Sequence, residues 1–207
     1  MKKINKKGFT LVELVVVLAI IGVLAAILIP TLVGYTVRSQ VVAADSTASN
    51  IRKVINNFLT EADASKYGMK ITQSAVCEGE IIVSGGTWTL TVTDNSVFNH
   101  TNHMLWDGSG ACTTGNTERV SGDSAEDALI KKIASSLPEV DQAYIRFHLK
   151  TGSCNAIYVT TETSTLITMP AFSDDGWSVD TYSWDTYNQG ICTEGFIVGT
   201  SPVLVFA

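Results

Sequence analysis

The spacing of hydrophobic and polar residues changes three times along the chain, and each change marks a different kind of element. From Leu14 to Val33 there is no charged residue, and a single acid, Glu13, stands at the start of the run. Twenty residues at ~1.5 Å rise make a helix of roughly 30 Å, the thickness of a bilayer's hydrocarbon core. The pattern predicts a membrane helix. Past Pro30 the helical spacing continues: Val41, Ala44, Ala48, Ile51, Ile55, Phe58 and Ala62 recur at three- and four-residue steps as one apolar face. Arg38, Asp45, Arg52 and Glu61 fall largely elsewhere, and Lys66 before Tyr67-Gly68 supplies a stop. Phe9 to Tyr67 as one helix would extend roughly 90 Å, bent at Pro30; the alternative is two helices with a break there.

From Ile71 the period shifts from helical to alternating, with Thr, Ser, Gly and aromatics prominent. Glu80–Ser84 and Thr87–Thr93 flank Gly85-Gly86 and read as a hairpin with a two-residue turn. Trp88, Leu90 and Val92 alternate with threonines, which turns one face to a core. The stretch 95–117 is loop-like. Asp123-Ser124-Ala125-Glu126 looks like a capping box, followed by Ala125, Leu129, Ile133 and Leu137 as a short helix ending at Pro138. Ala143–Lys150, Ala156–Glu162 and Ser164–Met169 follow as strands of an antiparallel meander, with Gly152 in a turn. A polar, acidic segment from Ser173 to Gln189 precedes a last strand or strand pair, Gly195–Phe206. The fold class expected is α+β: a long N-terminal helix, half membrane anchor and half amphipathic, packed on a mainly antiparallel β-sheet head.

Composition and charge narrow the function. The 207 residues suffice for an anchor plus one modest domain. Four lysines (Lys2, Lys3, Lys6 and Lys7) precede the apolar run, and positive-inside logic places them in the cytoplasm with the C-terminus outside. Loss of residues 1–8 would remove these four of fourteen basic residues, leaving ten against twenty acidic ones, a net charge of −10. That balance argues against nucleic acid as a main partner. An ordinary secretory signal peptide is the competing reading, but the small residues at Val42-Ala43-Ala44 lie far beyond the run, with Arg38 between.

A carboxylate inside a membrane helix is costly and usually has a function and a partner. Cleavage between Gly8 and Phe9 would create an α-amino group four residues before Glu13. The residues Lys7-Gly8-Phe9-Thr10-Leu11-Val12-Glu13-Leu14 resemble the cleavage and methylation signal of type IV prepilins and pseudopilins. The resemblance covers about the first fifth of the chain. It implies that a prepilin peptidase cuts after Gly8, that Phe9 becomes the methylated first residue, and that Glu13 meets the N-terminal amine of an adjacent subunit in a filament. Gly22 and Pro30 fall where that family carries a helix-loosening glycine and proline. The organisation implied is a cytoplasmic leader (1–8), a transmembrane or filament-core half-helix (9–37), an amphipathic half-helix (38–67) and a globular head (68–207), together a lollipop. The partners implied are further copies of the chain, the peptidase, a platform membrane protein and an assembly ATPase.

Cys77, Cys112, Cys154 and Cys192 all lie in the expected extracytoplasmic part, and none sits in a CxxC pair. An even number facing an oxidising space favours two disulfides with three possible pairings. Cys154–Cys192, closing the acidic loop, with Cys77–Cys112, is the preferred set; a disulfide-bounded C-terminal loop is similar to that of many type IV pilins. Free buried thiols are the alternative. His100 and His103 are spaced as metal ligands can be, but their Asn- and Gly-rich surroundings read as loop. Asp174, Asp175, Asp180 and Asp185 are weak calcium candidates, without EF-hand spacing. Trp177, Tyr182, Trp184 and Tyr187 read first as anchors of that loop on the sheet, and second as sugar contacts. No GxSxG, HExxH or phosphate-cradling glycine loop is present, so neither an enzyme nor a cofactor is expected. The leading expectation is a structural subunit that passes from membrane to an extracellular pilus. A pseudopilin or minor pilin of a secretion or competence system, and an anchored binding module that does not polymerise, stay open.

Overall fold

The computed structural model describes residues 10–64, 76–93, 112–113, 125–160, 169, 171–173, 176–178, 181–182 and 197–206. It divides into two compact units, Met1–Gln40 and Val41–Ala207. Helix α1, Leu11–Ala64, begins in the first and ends in the second.

Within the first unit α1 is a bare apolar rod. Large side chains from Leu11 to Val33, such as Val15, Ile20, Leu24 and Ile29, are all exposed. Pro30 is accommodated inside the helix. The nearby hydroxyls turn back onto their own helix: Thr31 donates to Leu28 O at 2.9 Å, and Thr36 does the same to Val33 O at 2.9 Å. These polar side chains are satisfied within their own helix, as an apolar surround demands.

The second unit is built on a sheet. Strands β1 (Val76–Ser84), β2 (Thr87–Val92), β3 (Cys112–Thr113), β4 (Gln142–Lys150), β5 (Ser153–Thr160) and β9 (Val198–Ser201) form one antiparallel sheet in the order β3-β2-β1-β4-β5-β9. Helix α2 (Ala125–Ser135) lies between β3 and β4 in sequence, and two ribbons, β6 (Phe172–Ser173) with β7 (Gly176–Trp177) and β8 (Thr181–Tyr182) with β10 (Val205–Phe206), complete it. Gly85 and Gly86, at φ of 55° and 74°, make the primed turn that the right-handed twist of β1–β2 requires.

The sheet is sided. Val41, Ala48, Ile51, Ile55, Phe58 and Leu59 of α1 are buried. From Ala48 on, they pack with Ile81, Val83, Ile145, Phe147, Leu149, Ile157 and Val159 of the sheet and with Leu129 and Ile133 of α2. The apolar periodicity that predicted this face is therefore its cause; each fully buried Ile or Phe contributes ~1.5–3 kcal/mol. Lys132 of α2 pairs with Glu61 of α1. The opposite face carries Tyr144, Tyr158, Phe172 and Trp177 in a second cluster with Val41 and Val198.

Several expected boundaries shift. The first strand starts at Val76 rather than Glu80, and the fifth at Ser153 rather than Ala156. Helix α2 ends at Ser135, before Pro138. The acidic segment 173–189, expected to be irregular, contributes three short strands. The first pair of the expected meander, β4–β5, is present and antiparallel, and the β1–β4 pair joins it to the β1–β2 hairpin. The expected strand Ser164–Met169, the capping residues Asp123 and Ser124, and the stop at Tyr67-Gly68 lie outside the described residues, except Met169, which is not in a strand.

Strand β9 meets α1 at backbone distance. A Cβ on Gly199 would collide with the carbonyl carbon and oxygen of Ala44, and backbone cannot yield as a side-chain tip can. Gly199→Ala is expected to destabilise the head by about 1–3 kcal/mol, read as an earlier thermal transition in the near-UV circular dichroism of the detergent-solubilised chain. Gly34→Ala, whose Cβ would meet nothing, should leave that transition in place.

Candidate functional site

The N-terminus of α1 is built on a reciprocal pair. Thr10 donates to Glu13 Oε2 twice, from its backbone N–H at 2.9 Å and from its hydroxyl at 2.8 Å. Glu13 N–H donates back to Thr10 Oγ1 at 3.3 Å, and Leu14 N–H closes the first turn on Thr10 O. This is a capping box, in which a Thr at the cap and a Glu three residues later satisfy each other's orphan amides. The signal was present as Thr10-Leu11-Val12-Glu13, and attention to Glu13 as a partner for an amine hid it. Gly8 and Phe9 lie outside the described residues. Gly22 sits on the open helix surface, with nothing within 4 Å of where a Cβ would be. Pro30 interrupts no part of the assigned helix.

A second polar constellation docks α1 on the sheet, and sequence reasoning missed it by setting Asp45 and Arg52 apart from the apolar face. Arg52 Nε donates to Cys154 O at 2.8 Å, and Cys154 N–H donates to Asn56 Oδ1 at 2.7 Å. One turn of helix thereby satisfies both backbone groups of a buried strand residue. Nearer the start of the unit, Asp45 Oδ1 accepts the backbone N–H of Thr200 at 2.7 Å and its hydroxyl at 3.3 Å. Thr200 Oγ1 in turn accepts from Leu204 N–H at 3.0 Å. Among the described residues strand β9 is an edge strand, and Asp45 occupies the Thr200 amide that another strand would otherwise take; Pro202 offers none. Half-burial raises the Asp45 pKa above the ordinary carboxylate value, with the Thr200 bonds pulling the other way.

The cysteines separate. Cys154 has a buried, free thiol, and burial pushes it up to about 12 with only the Arg52 charge opposing. Cys77 is buried too, opposite Leu149 on β4, whose other neighbour is Cys154. Cys112 pairs with Trp88, which pairs with Val83. At ~3.3 Å per residue, the six-residue offset between Val83 and Cys77 is roughly 20 Å. A disulfide needs Cα atoms within ~7 Å, so the register corrects the expected Cys77–Cys112 bridge. Cys192 lies outside the described residues, as do His100, His103, Asp174, Asp175, Asp180 and Asp185. Among the described residues no group of three or more metal-ligating side chains gathers.

On the outer face, Phe172 stacks on His148, Tyr158 and Trp177 with ring centroids 5.6, 6.2 and 5.1 Å apart. Tyr144 donates to Glu80 at 2.6 Å, and Arg146 pairs with Glu78 at 2.8 Å. Trp177 Nε1 donates to Pro202 O at 2.9 Å. Trp177 thus ties the β6–β7 ribbon to the sheet face and to Pro202, just past β9. Trp184 and Tyr187 lie outside the described residues.

Comparison with known proteins identifies the N-terminal feature. Residues 3–29 match the family described as the prokaryotic N-terminal methylation motif. A fimbrial protein of Pseudomonas aeruginosa is 36% identical over 99 residues, 44% of this chain and 61% of the relative. A type IV major fimbrial protein FimA of Dichelobacter nodosus is 46% identical over 61 residues, 30% of this chain and 39% of the relative. A fimbrial protein of Neisseria meningitidis is 31% identical over 101 residues, 45% and 59% of the two chains. The matched stretches thus span less than two thirds of these relatives' length. No solved structure matches. Residues 3–29 thus carry the N-terminal methylation motif, and up to 45% of the chain is similar to fimbrial proteins.

The Asp45 clamp yields a pH prediction with a definite sign. A carboxyl whose folded pKa is raised makes the folded state bind more protons, so stability is greatest below the unfolded pKa and falls as pH rises through the folded one. Asp45→Asn keeps the acceptor and loses the charge. Its head should be at least as stable as wild type at pH 7, with wild type gaining on it as pH falls towards 4. Asp45→Leu leaves Thr200 N–H unpaired and should cost about 1–3 kcal/mol. Denaturant titration of the three proteins across that range checks both.

Proposed function

We propose that this chain is the structural subunit of a type IV pilus, stored in the cytoplasmic membrane and polymerised through the apolar half of α1 into an extracellular filament. The observation that carries this reading is the conjunction of the methylation motif with an apolar half-helix whose large side chains are all exposed. Such a surface needs a cover, and lipid or the helices of other copies each supply one. Homology to fimbrial proteins of three genera supports the same reading. In it, a prepilin peptidase cuts after Gly8 and methylates Phe9, and the Phe9 amine of one subunit meets Glu13 of its neighbour. Gly22 and Pro30 give the helix freedom to adjust during packing. A platform membrane protein and a cytoplasmic ATPase drive assembly, with the N-terminus inside and the head outside beforehand. The subunit needs neither cofactor nor enzymatic activity.

The capping box refines the role of Glu13. A carboxylate already holding two donors from Thr10 enters an apolar surround at lower cost than a bare one. Its second oxygen leaves room for a charge-assisted bond to an incoming amine.

Intact and N-terminal peptide mass on protein from sheared surface material is the direct test. A chain beginning at methylated Phe9 and abundant in that fraction is the expected result; a chain beginning at Met1 or near Asp45 would sink the reading. Glu13→Ala should remain membrane-inserted while its amount in sheared filaments falls at least tenfold. Normal incorporation of that variant would remove Glu13 from assembly.

A further inference from the structure

We propose that Tyr35 and Arg38 form a lipid-headgroup anchor that sets the depth of α1 in the bilayer and so holds Glu13 at the opposite interface. The inference rests on the reading of the chain as a membrane-stored subunit and adds what fixes its position there.

The argument is one of spacing and exposure. Leu14 to Val37 contains no charged residue, so Glu13 and Arg38 bracket the run. They are twenty-five residues apart, roughly 38 Å of helix at ~1.5 Å per residue. That exceeds the ~30 Å hydrocarbon core and falls just short of the ~40–45 Å that includes both headgroup layers. With Arg38 at the phosphates of one leaflet, Glu13 therefore lies at the interface of the other. A slide along the axis of more than roughly 8 Å, the excess of that span over the core, takes one of them into hydrocarbon. The register is bounded from both ends.

Arg38 is suited to that place. It is exposed, and no ion pair to it occurs among the described residues. A guanidinium binds phosphate through two parallel N–H donors. Tyr35 lies one turn earlier and is 73% exposed, although it is a large ring. A ring with an apolar body and a polar tip belongs at the level between acyl chains and headgroups. The Thr31 and Thr36 hydroxyls do not compete, because they are spent on their own helix. The occupant of this short surface is thus the anionic phosphate layer of a membrane.

The test uses the full chain in vesicles of mixed phosphatidylcholine and phosphatidylglycerol, with bromine either near the headgroup or at mid-chain. Tyr35→Trp and Leu14→Trp report depth as quenching above the background of the wild-type tryptophans. Expected is at least twofold stronger quenching of the Tyr35→Trp reporter by shallow than by mid-chain bromine. Adding Arg38→Gln should move that reporter towards mid-chain quenching and weaken quenching at the Leu14→Trp position, as the helix slides towards the leader side. Arg38→Lys should restore both, which a merely structural role at this exposed position would not require. Unchanged depths in Arg38→Gln, or mid-chain quenching of the Tyr35→Trp reporter with Arg38 present, would overturn the anchor. Failure of the chain to float with vesicles at all would instead overturn the membrane-stored subunit on which it rests.

Discussion

An apolar helix surface with no protein over it is the constraint from which the rest follows. The large side chains between Leu11 and Val33 that stand in the open would each gain ~1.5–3 kcal/mol on burial, a total on the order of tens of kcal/mol. That exceeds the whole stability of an ordinary domain, ~5–15 kcal/mol, so the folded head cannot compensate for leaving the surface in water. The half-helix would be relieved of that cost by a cover of lipid or of other apolar surface. Its polar residues obey the same requirement: Thr10 and Glu13 satisfy each other, and Thr31 and Thr36 turn their hydroxyls back onto their own carbonyls.

In the second unit the same helix is governed by water. Its buried stripe packs on the sheet, but apolar packing alone tolerates sliding and rotation. Directional bonds do not. Arg52 and Asn56 hold the two backbone groups of Cys154 at one side of the sheet, and Asp45 holds Thr200 at its edge. Gly199 permits the close approach that brings Asp45 within reach. The clamp also closes an open edge. An edge strand whose outward amide is occupied and whose next residue is proline offers less to a pairing strand.

What was legible in the sequence was what periodicity determines. The 3–4 spacing of Ala48, Ile51, Ile55 and Phe58 named the docking face residue by residue, and Gly85-Gly86 named the hairpin. Polar residues whose partners come from far along the chain were not legible. Asp45 and Arg52 look solvated on a helical wheel, yet their partners lie 155 and 102 residues away. Strand β1 began early because Cys77, Gly79 and Ile81 face inward while Glu78 and Glu80 face out, an alternation that the glycine interrupts in sequence but not in space. There the Phe147 ring fills the room a side chain would take. Sheet register defeated the Cys77–Cys112 pairing for a similar reason: nearness in sequence across a hairpin says nothing of position along the strands.

The two ends of the apolar half-helix answer one problem with different chemistry. At Arg38 the charge is long-stemmed and exposed, and it reaches water or phosphate without distorting the helix. At Glu13 the stem is short, so the donors must come to it, and Thr10 brings two. A fully solvated acid would have to shed its hydration on leaving the interface. One held by its own helix cap carries its solvation with it. The cap therefore lowers the cost of taking this carboxylate from water into an apolar surround.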